Sequence, residues 1–261
     1  MIHLAAGNIL FKTGSHQAAI TLRGSCSFEG GILTGMIGAN GAGKTTFLKI
    51  LAGLQSPERG QVILNDRRLA DLSPQQKAEA IAYLPQDRRI QWPVKACDLI
   101  ALGRLRYGRS LNRLNQQDSH AIAHAVETTK TGDLLDRSMD SLSGGEQARI
   151  LLARALAVDA PILLADEPLA ALDPGYAMQI MEVLSQEAQK GRIVVVALHD
   201  LTLAARYCDR LLLWHRGEIV ADGKPETVLT QDRLEQCYHI KAISQNYRGH
   251  WLVTPYDRVD S

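Results

Sequence analysis

Gly38-Ala39-Asn40-Gly41-Ala42-Gly43-Lys44-Thr45 is a complete GxxxxGK[ST] stretch. It follows an apolar run at residues 32–37 and leads, from Thr46, into a helical pattern at 46–52. A strand that breaks into glycines and then enters a helix gathers backbone N–H groups and a helix N-terminus around one point, which suits a polyphosphate. Lys44 is placed to reach the outer phosphates. Thr45 is placed to put its hydroxyl on a Mg²⁺ bridging the same oxygens, because a small hard cation prefers oxygen ligands. The competing account, a glycine-rich turn with a chance lysine, has to produce the whole stretch between a strand and a helix by coincidence. Nucleotide binding is the expectation from which the remainder is read.

The chain has 261 residues, 46% of them hydrophobic, enough for one large domain or two small ones. A net charge of +1 lacks the global basic footprint of a dedicated nucleic-acid binder, so no nucleic-acid partner is expected. The longest aliphatic run, residues 193–198, is far short of a membrane span, and the N-terminal residues lack the basic and apolar segments of a leader. The reading is a cytosolic chain that does not itself cross a bilayer. Cys26, Cys97, Cys208 and Cys237 are scattered without a CxxC pair and read as buried free thiols. The polar stretch 104–117 carries Arg104, Arg106, Arg109 and Arg113 and reads as a solvated loop or helix face, with contact to an acidic partner or lipid headgroups as a minor alternative.

Residues 1–37 alternate in β fashion, with Glu29-Gly30-Gly31 as a turn, and read as an antiparallel sheet. A strand is expected at 61–64 and another at 81–84, with a helix between them that starts at Ser73 as N-cap, Pro74 in its first turn and Gln76 completing a capping box. From 85 to 158 the patterns turn helical, at 94–102, 118–129 and 146–157. Strands return at 161–165 and 192–198, flanking a helix capped by Asp173. These belong beside the phosphate-loop strand in one mainly parallel sheet. The tail reads as a hairpin at Arg216-Gly217, a helix at 231–238 and two weak strands around Tyr247-Arg248-Gly249.

An apolar run ending in Asp166-Glu167 sets two carboxylates at the C-terminal edge of a sheet, where α/β folds bind ligands. Because successive residues on a strand point to opposite sides, Asp166 can face Mg²⁺ through its hydration shell while Glu167 points toward a water attacking the γ-phosphate as general base. Alone the pair is weak evidence, since acidic residues often cap strands or helices. Leu142-Ser143-Gly144-Gly145-Glu146-Gln147 opens a helix with two glycines and a hydroxyl, a second anion-binding N-terminus unless it is simply a flexible turn. One nucleotide does not need two such cradles from one chain. Two copies packed head to tail would use both, with Ser143 and Gly145 of one closing over the phosphate held by Lys44 of the other.

Taken together, Gly38 to Thr45, Gln86 after an apolar strand, Leu142 to Gln147, Leu163 to Glu167, Ala171-Leu172-Asp173 and His199 have the order and approximate spacing of the ATP-binding subunits of ABC transporters. The resemblance covers residues 1–230, with 86–158 as a helical insertion and 231–261 as a C-terminal extension. It implies an α/β P-loop ATPase fold with an N-terminal antiparallel β subdomain, ATP and Mg²⁺ as cofactors, and a homodimer. Catalysis would fall to Glu167, His199 and Gln86. The phosphate loop from Gly38 through Thr46 would hold ATP, and Thr45, Gln86 and Asp166 the metal. Ser143, Gly144, Gly145 and Asp173 would reach the nucleotide of the opposite protomer. The sequence departs from the family pattern at Leu169, where a small hydroxylated residue is usual, and at Ala148, where a polar one is common. Phe11 is the candidate to stack on adenine, with an ordinary sheet-core role as the equal reading.

The segment from Trp92 to Arg104 and the stretch Leu198-His199-Asp200-Leu201 resemble the ATPases of siderophore, haem and cobalamin importers. That resemblance implies polytopic membrane permease subunits, an indirectly associated substrate-binding protein, and a peripheral place at the cytoplasmic face of the inner or plasma membrane. Helix 94–102 would help form the groove for a permease helix, although its apolar face also suits plain core packing. The alternatives are an export ATPase with separate membrane subunits, or a soluble ABC ATPase of cofactor assembly or DNA maintenance. A long coiled-coil insertion or a second ATPase module would mark soluble relatives, and neither is present in this sequence.

Overall fold

The computed structural model describes residues 2–13, 17–87, 90, 92–107 and 114–259. At its centre is a six-stranded sheet built from β4 (Leu33–Gly38), β7 (Ile81–Leu84), β8 (Ile162–Asp166), β9 (Ile193–Ala197), β10 (Arg210–His215) and β11 (Glu218–Gly223), in the order β11-β10-β4-β9-β8-β7. All neighbours are parallel except the β10–β11 hairpin. Every residue of β4, β8 and β9 is buried, as expected for strands covered on both faces.

The period-2 alternation divides these strands between two cores. Leu163, Ala165, Val194, Val196, Leu211 and Leu213 face the helical side, whereas Ile162, Leu164, Ile193, Val195, Leu212 and Trp214 face the other. The second core is closed by α1 (Lys44–Leu51) and by an antiparallel sheet of β1 (Leu4–Thr13), β2 (Gln17–Thr21), β3 (Ser25–Phe28), β5 (Arg59–Leu64) and β6 (Arg67–Arg68). The sequence reading counts the phosphate-loop strand both in the antiparallel alternation of residues 1–37 and in the parallel sheet, and the structure gives it to the parallel sheet alone. β4 pairs in parallel with β9 and β10, because all of its residues are buried and only the central position covers both faces.

α2 (Pro74–Ala80) begins with the expected capping box between Ser73 and Gln76. α3 (Ala96–Ala101), α4 (Gln116–Thr129) and α5 (Gly144–Ala157) form the helical region. α3 is shorter than the pattern 94–102 suggested, since Lys95 bridges Ser138 in extended geometry and Leu102–Tyr107 tightens into a 3₁₀ helix. α6 (Pro174–Gln189), α7 (Leu201–Tyr207), α8 (Pro225–Val228) and α9 (Gln231–Tyr238) follow. The two tail strands, weak in sequence, pair along their whole length as β12 (Ile240–Tyr247) and β13 (His250–Arg258). The hairpin is seated on the core, with Val253 fully buried and its carbonyl accepting from Thr202 Oγ1 of α7 at 2.6 Å.

Arg104 corrects the reading of residues 104–117 as a solvated face. Its side chain is 1% exposed and pairs at 2.9 Å with Asp118, also 1% exposed. Its Nη1 donates to the carbonyls of Ala157 and Val158 at the end of α5, so one guanidinium ties the 3₁₀ helix to α4 and α5. Arg109 and Arg113 lie outside the described residues. Cys26, Cys208 and Cys237 are buried free thiols as expected, while Cys97 is only half-buried.

A buried pair that loses one member leaves the desolvation cost of the other uncompensated. Arg104→Ala is expected to destabilise the protein by about 3–5 kcal/mol. Urea unfolding of the purified chain measures this, and a loss below about 1 kcal/mol would place the pair among surface ion pairs in energetic terms.

Candidate active site

β4 ends at Gly38, and the chain turns through the phosphate loop into α1. Gly38 has φ 149°, and a Cβ there would overlap the carbonyl of Trp214 on the neighbouring β10. Only glycine lets the loop leave the sheet at this point. Gly43, at φ 106°, is the N-cap of α1 and brings no side chain to cap it, so the amides of the first turn face the loop's concavity. Lys44 is buried and folds back over the loop, donating from Nζ to the carbonyls of Gly38 and Ala39 at 2.7 and 3.3 Å. Burial lowers its pKa, and the nearby carboxylates of Glu167 and Asp166 act in the opposite direction.

Four parallel strands end beside this loop, and each delivers a group. Asp166, the last residue of β8, is fully buried; its Oδ1 accepts from Thr45 Oγ1 at 3.0 Å and its Oδ2 from the Tyr83 hydroxyl at 2.9 Å. Burial raises the pKa of Asp166, while these two donors pull it back toward the ionised form. Burial and the adjacent carboxylate also push the Tyr83 phenol well up, so it stays an O–H donor. Glu167 lies just beyond the strand, at φ 49°. Its divergence from Asp166 therefore comes from a left-handed turn and not from the strand pleat that the sequence reading assumed. Gln86 Nε2 donates to Glu167 Oε2 at 2.6 Å, and His199 Nε2 meets Oε1.

Gln86, Glu167 and His199 line one cleft of about 710 Å³, together with Asn40 through Thr46. The structure thus brings together the phosphate loop, Gln86, Glu167 and His199, with Asp166 directly behind Thr45. Phe11 packs half-buried against the core under the antiparallel sheet and does not line this cleft. Ser143, Gly144, Gly145 and Asp173 do not line it either. Ser143 caps α5 reciprocally with Glu146: Ser143 Oγ accepts from the Glu146 amide at 3.3 Å, and Glu146 Oε2 accepts from the Ser143 amide at 2.7 Å. A hydroxyl that accepts there keeps its O–H for another partner. Asp173 caps α6, accepting from the Tyr176 amide at 3.1 Å.

Residues 23–170 match the protein-family model described as ABC transporter. The chain belongs to this family. Hemin import ATP-binding protein HmuV of Nocardia farcinica is 39% identical over 86% of the chain and 78% of its own length. YusV of Bacillus subtilis, named as a probable siderophore transport system ATP-binding protein, is 37% identical over 80% of the chain and 76% of its own length. Among solved structures, the dimeric structure of MJ0796, a bacterial ABC transporter cassette, superposes with a TM-score of 0.74 at 25% identity, covering 85% of this chain and 98% of that one. A structure of metal-chelate type, an ABC transporter in an inward-facing conformation, has the same fold over 98% of both chains, with a TM-score of 0.82 at 21% identity. The protein is an ABC transporter ATPase, with the α/β fold expected for it.

Sequence reasoning missed Tyr83, whose hydroxyl meets Asp166 across 83 positions, and Tyr176. The Tyr176 ring lies over Gly145 and beneath the Arg149 guanidinium, 5.2 Å from ring centroid to Cζ, and so clamps the first turn of α6 against that of α5. No local pattern marks either tyrosine. A Cβ at Gly145 would overlap that ring. Gly145→Ala is expected to cost about 1–3 kcal/mol through overpacking. Adding Tyr176→Ala should recover part of the loss, and thermal unfolding of the single and double variants gives the coupling directly.

Proposed function

We propose that this ATPase powers import of a metal chelate of the iron-siderophore, haem or cobalamin type. Two copies close head to tail around two Mg·ATP and move polytopic permease subunits served by a substrate-binding protein, at the cytoplasmic face of the plasma membrane. The observation that carries this reading is the Glu167 carboxylate held between Gln86 and His199 at the mouth of the phosphate-loop cleft. The names of the haemin and siderophore relatives support the class of cargo. Among the described residues no helix is long and apolar enough to cross a membrane, so on this reading the path lies in other subunits.

Within the cleft we assign the phosphates to the amides of Gly38 through Thr46 and to Lys44, which is already poised on the loop carbonyls. Glu167 takes the proton from the attacking water, and Gln86 and His199 fix the direction of its carboxylate. Thr45 and Asp166, with Gln86 nearby, would hold Mg²⁺, which when bound neutralises the charge of the β- and γ-oxygens. The donor set fits: the Thr45 hydroxyl and the Asp166 carboxylate are hard oxygens 3.0 Å apart beside the phosphate loop. Ser143, Gly144, Gly145 and Asp173 are assigned to the nucleotide of the partner copy. Phe11, packed half-buried against the core outside the cleft, is assigned to adenine contact, with the sheet-core role as the equal reading. Residues 1–230 are assigned to the ATPase unit, with 86–158 inserted, and 231–261 to an extension.

A groove of about 170 Å³ lies beside Gln86, lined among others by Pro85, Ile90, Trp92, Leu151 and Arg154, with Trp92 58% exposed. We assign it to a cytoplasmic helix of the permease, since it adjoins the residue that orients Glu167.

Glu167→Gln is expected to keep ATP affinity, to lower phosphate release by at least about 100-fold and to accumulate an ATP-bound dimer visible by light scattering. Turnover at the parental rate would remove Glu167 as base. Ser143→Ala should lower hydrolysis without weakening nucleotide binding to the isolated chain, and full activity from a strictly monomeric protein would refute the shared site.

A further inference from the structure

We propose that Tyr83 is the positioning residue for Asp166, fixing the plane of its carboxylate so that Oδ1 faces Thr45 and the metal that Thr45 would hold. This rests on the reading of Asp166 as the carboxylate that faces the magnesium ion.

An aspartate carboxylate turns freely about its last torsion unless both oxygens are engaged. Asp166 is fully buried, so each oxygen must find a donor within the protein. The two donors differ in kind. Thr45 belongs to the phosphate loop, and its hydroxyl answers to whatever the loop binds. Tyr83 belongs to β7 and is paired in register with Leu164 of β8, so its hydroxyl comes from the framework of the sheet. Held on Oδ2 by the sheet, the carboxylate presents Oδ1 to the loop in one orientation.

The same short segment fastens the neighbouring carboxylate. Gln86, three positions after Tyr83, donates to Glu167. Tyr83 to Gln86 therefore sets the direction of both acidic side chains, the first through a phenol and the second through an amide. Tyr83 also lines the groove that holds Trp92. An edge strand has one sheet neighbour, and here that neighbour is the strand that ends in Asp166.

Tyr83→Phe keeps the ring and deletes only the donor. The test uses the full-length protein with Mn²⁺ as a paramagnetic stand-in for Mg²⁺ and a non-hydrolysable ATP analogue. Mn²⁺ affinity of the analogue complex is read by electron paramagnetic resonance, and analogue affinity is read separately in EDTA. Loss of a partner of this kind weakens metal affinity by about 10-fold, and that is the expected result, with analogue affinity in EDTA unchanged. Unchanged Mn²⁺ affinity overturns the proposal. Asp166→Asn run in parallel separates the two levels: a loss there with none in Tyr83→Phe removes the role of Tyr83 alone, whereas no loss in either removes Asp166 from the metal as well. Equal weakening of analogue binding with and without Mn²⁺ would also overturn it, because it would mark a general distortion of the loop.

Discussion

The parallel pairing of β4, β9, β8 and β7 is the constraint on which the site depends. Parallel strands in neighbouring positions end at one edge, and here that edge receives Gly38, His199, Asp166 with Glu167, and Gln86. Asn40 and His199, 159 positions apart in the chain, thereby meet in a cleft of about 710 Å³. Because the central strands are buried on both faces, a slip of one residue would exchange the two cores and carry the catalytic edge with it. Register is therefore set by hydrophobic burial, and the chemistry inherits that precision.

Burial also sets the electrostatic cost of the site. Asp166 and Lys44 both lie out of water near the loop, and desolvation disfavours the charged form of each. The structure offsets this with donors placed by the sheet and acceptors placed by the loop, so the charges are held without a direct ion pair between them. A different solution appears in the helical region, where Arg104 and Asp118 neutralise each other deep in the fold and the same guanidinium caps α5. The first arrangement leaves room for a ligand, because the Thr45 hydroxyl that donates to Asp166 keeps its oxygen lone pairs free to accept. The second suits a fixed joint.

The helix starts of α1, α5 and α6 are finished differently. α5 is closed by a capping box and α6 by Asp173, whereas α1 starts at a left-handed glycine with no side-chain cap. The first-turn amides of α1 are thus the ones left to an anion. In α5 the box engages the amide of Glu146, with Gly144 and Gly145 ahead of it, and Tyr176 holds that turn close to α6. The two cradles of the sequence are consequently not equivalent: one leaves its first-turn amides uncapped behind a glycine loop, the other has its first turn closed by a capping box and packed on Tyr176.

Much was legible in local pattern. The phosphate loop, the capping box at Ser73, the Asp173 cap, the hairpin at Arg216-Gly217 and the helix at 231–238 follow from spacing and turn chemistry, which act within a few residues. The order of the motifs carried the family. Tertiary structure alone decided that Tyr83 bonds Asp166, that Arg104 is buried and not solvated, that Glu167 diverges by a left-handed turn, and that β12 and β13 pair fully and seat on α7. The reason is the range of the forces involved. Backbone capping and hydrophobic periodicity are written between near neighbours in the chain, whereas the value of a buried hydroxyl or guanidinium depends on which distant carboxylate the packed sheet and helices bring to it.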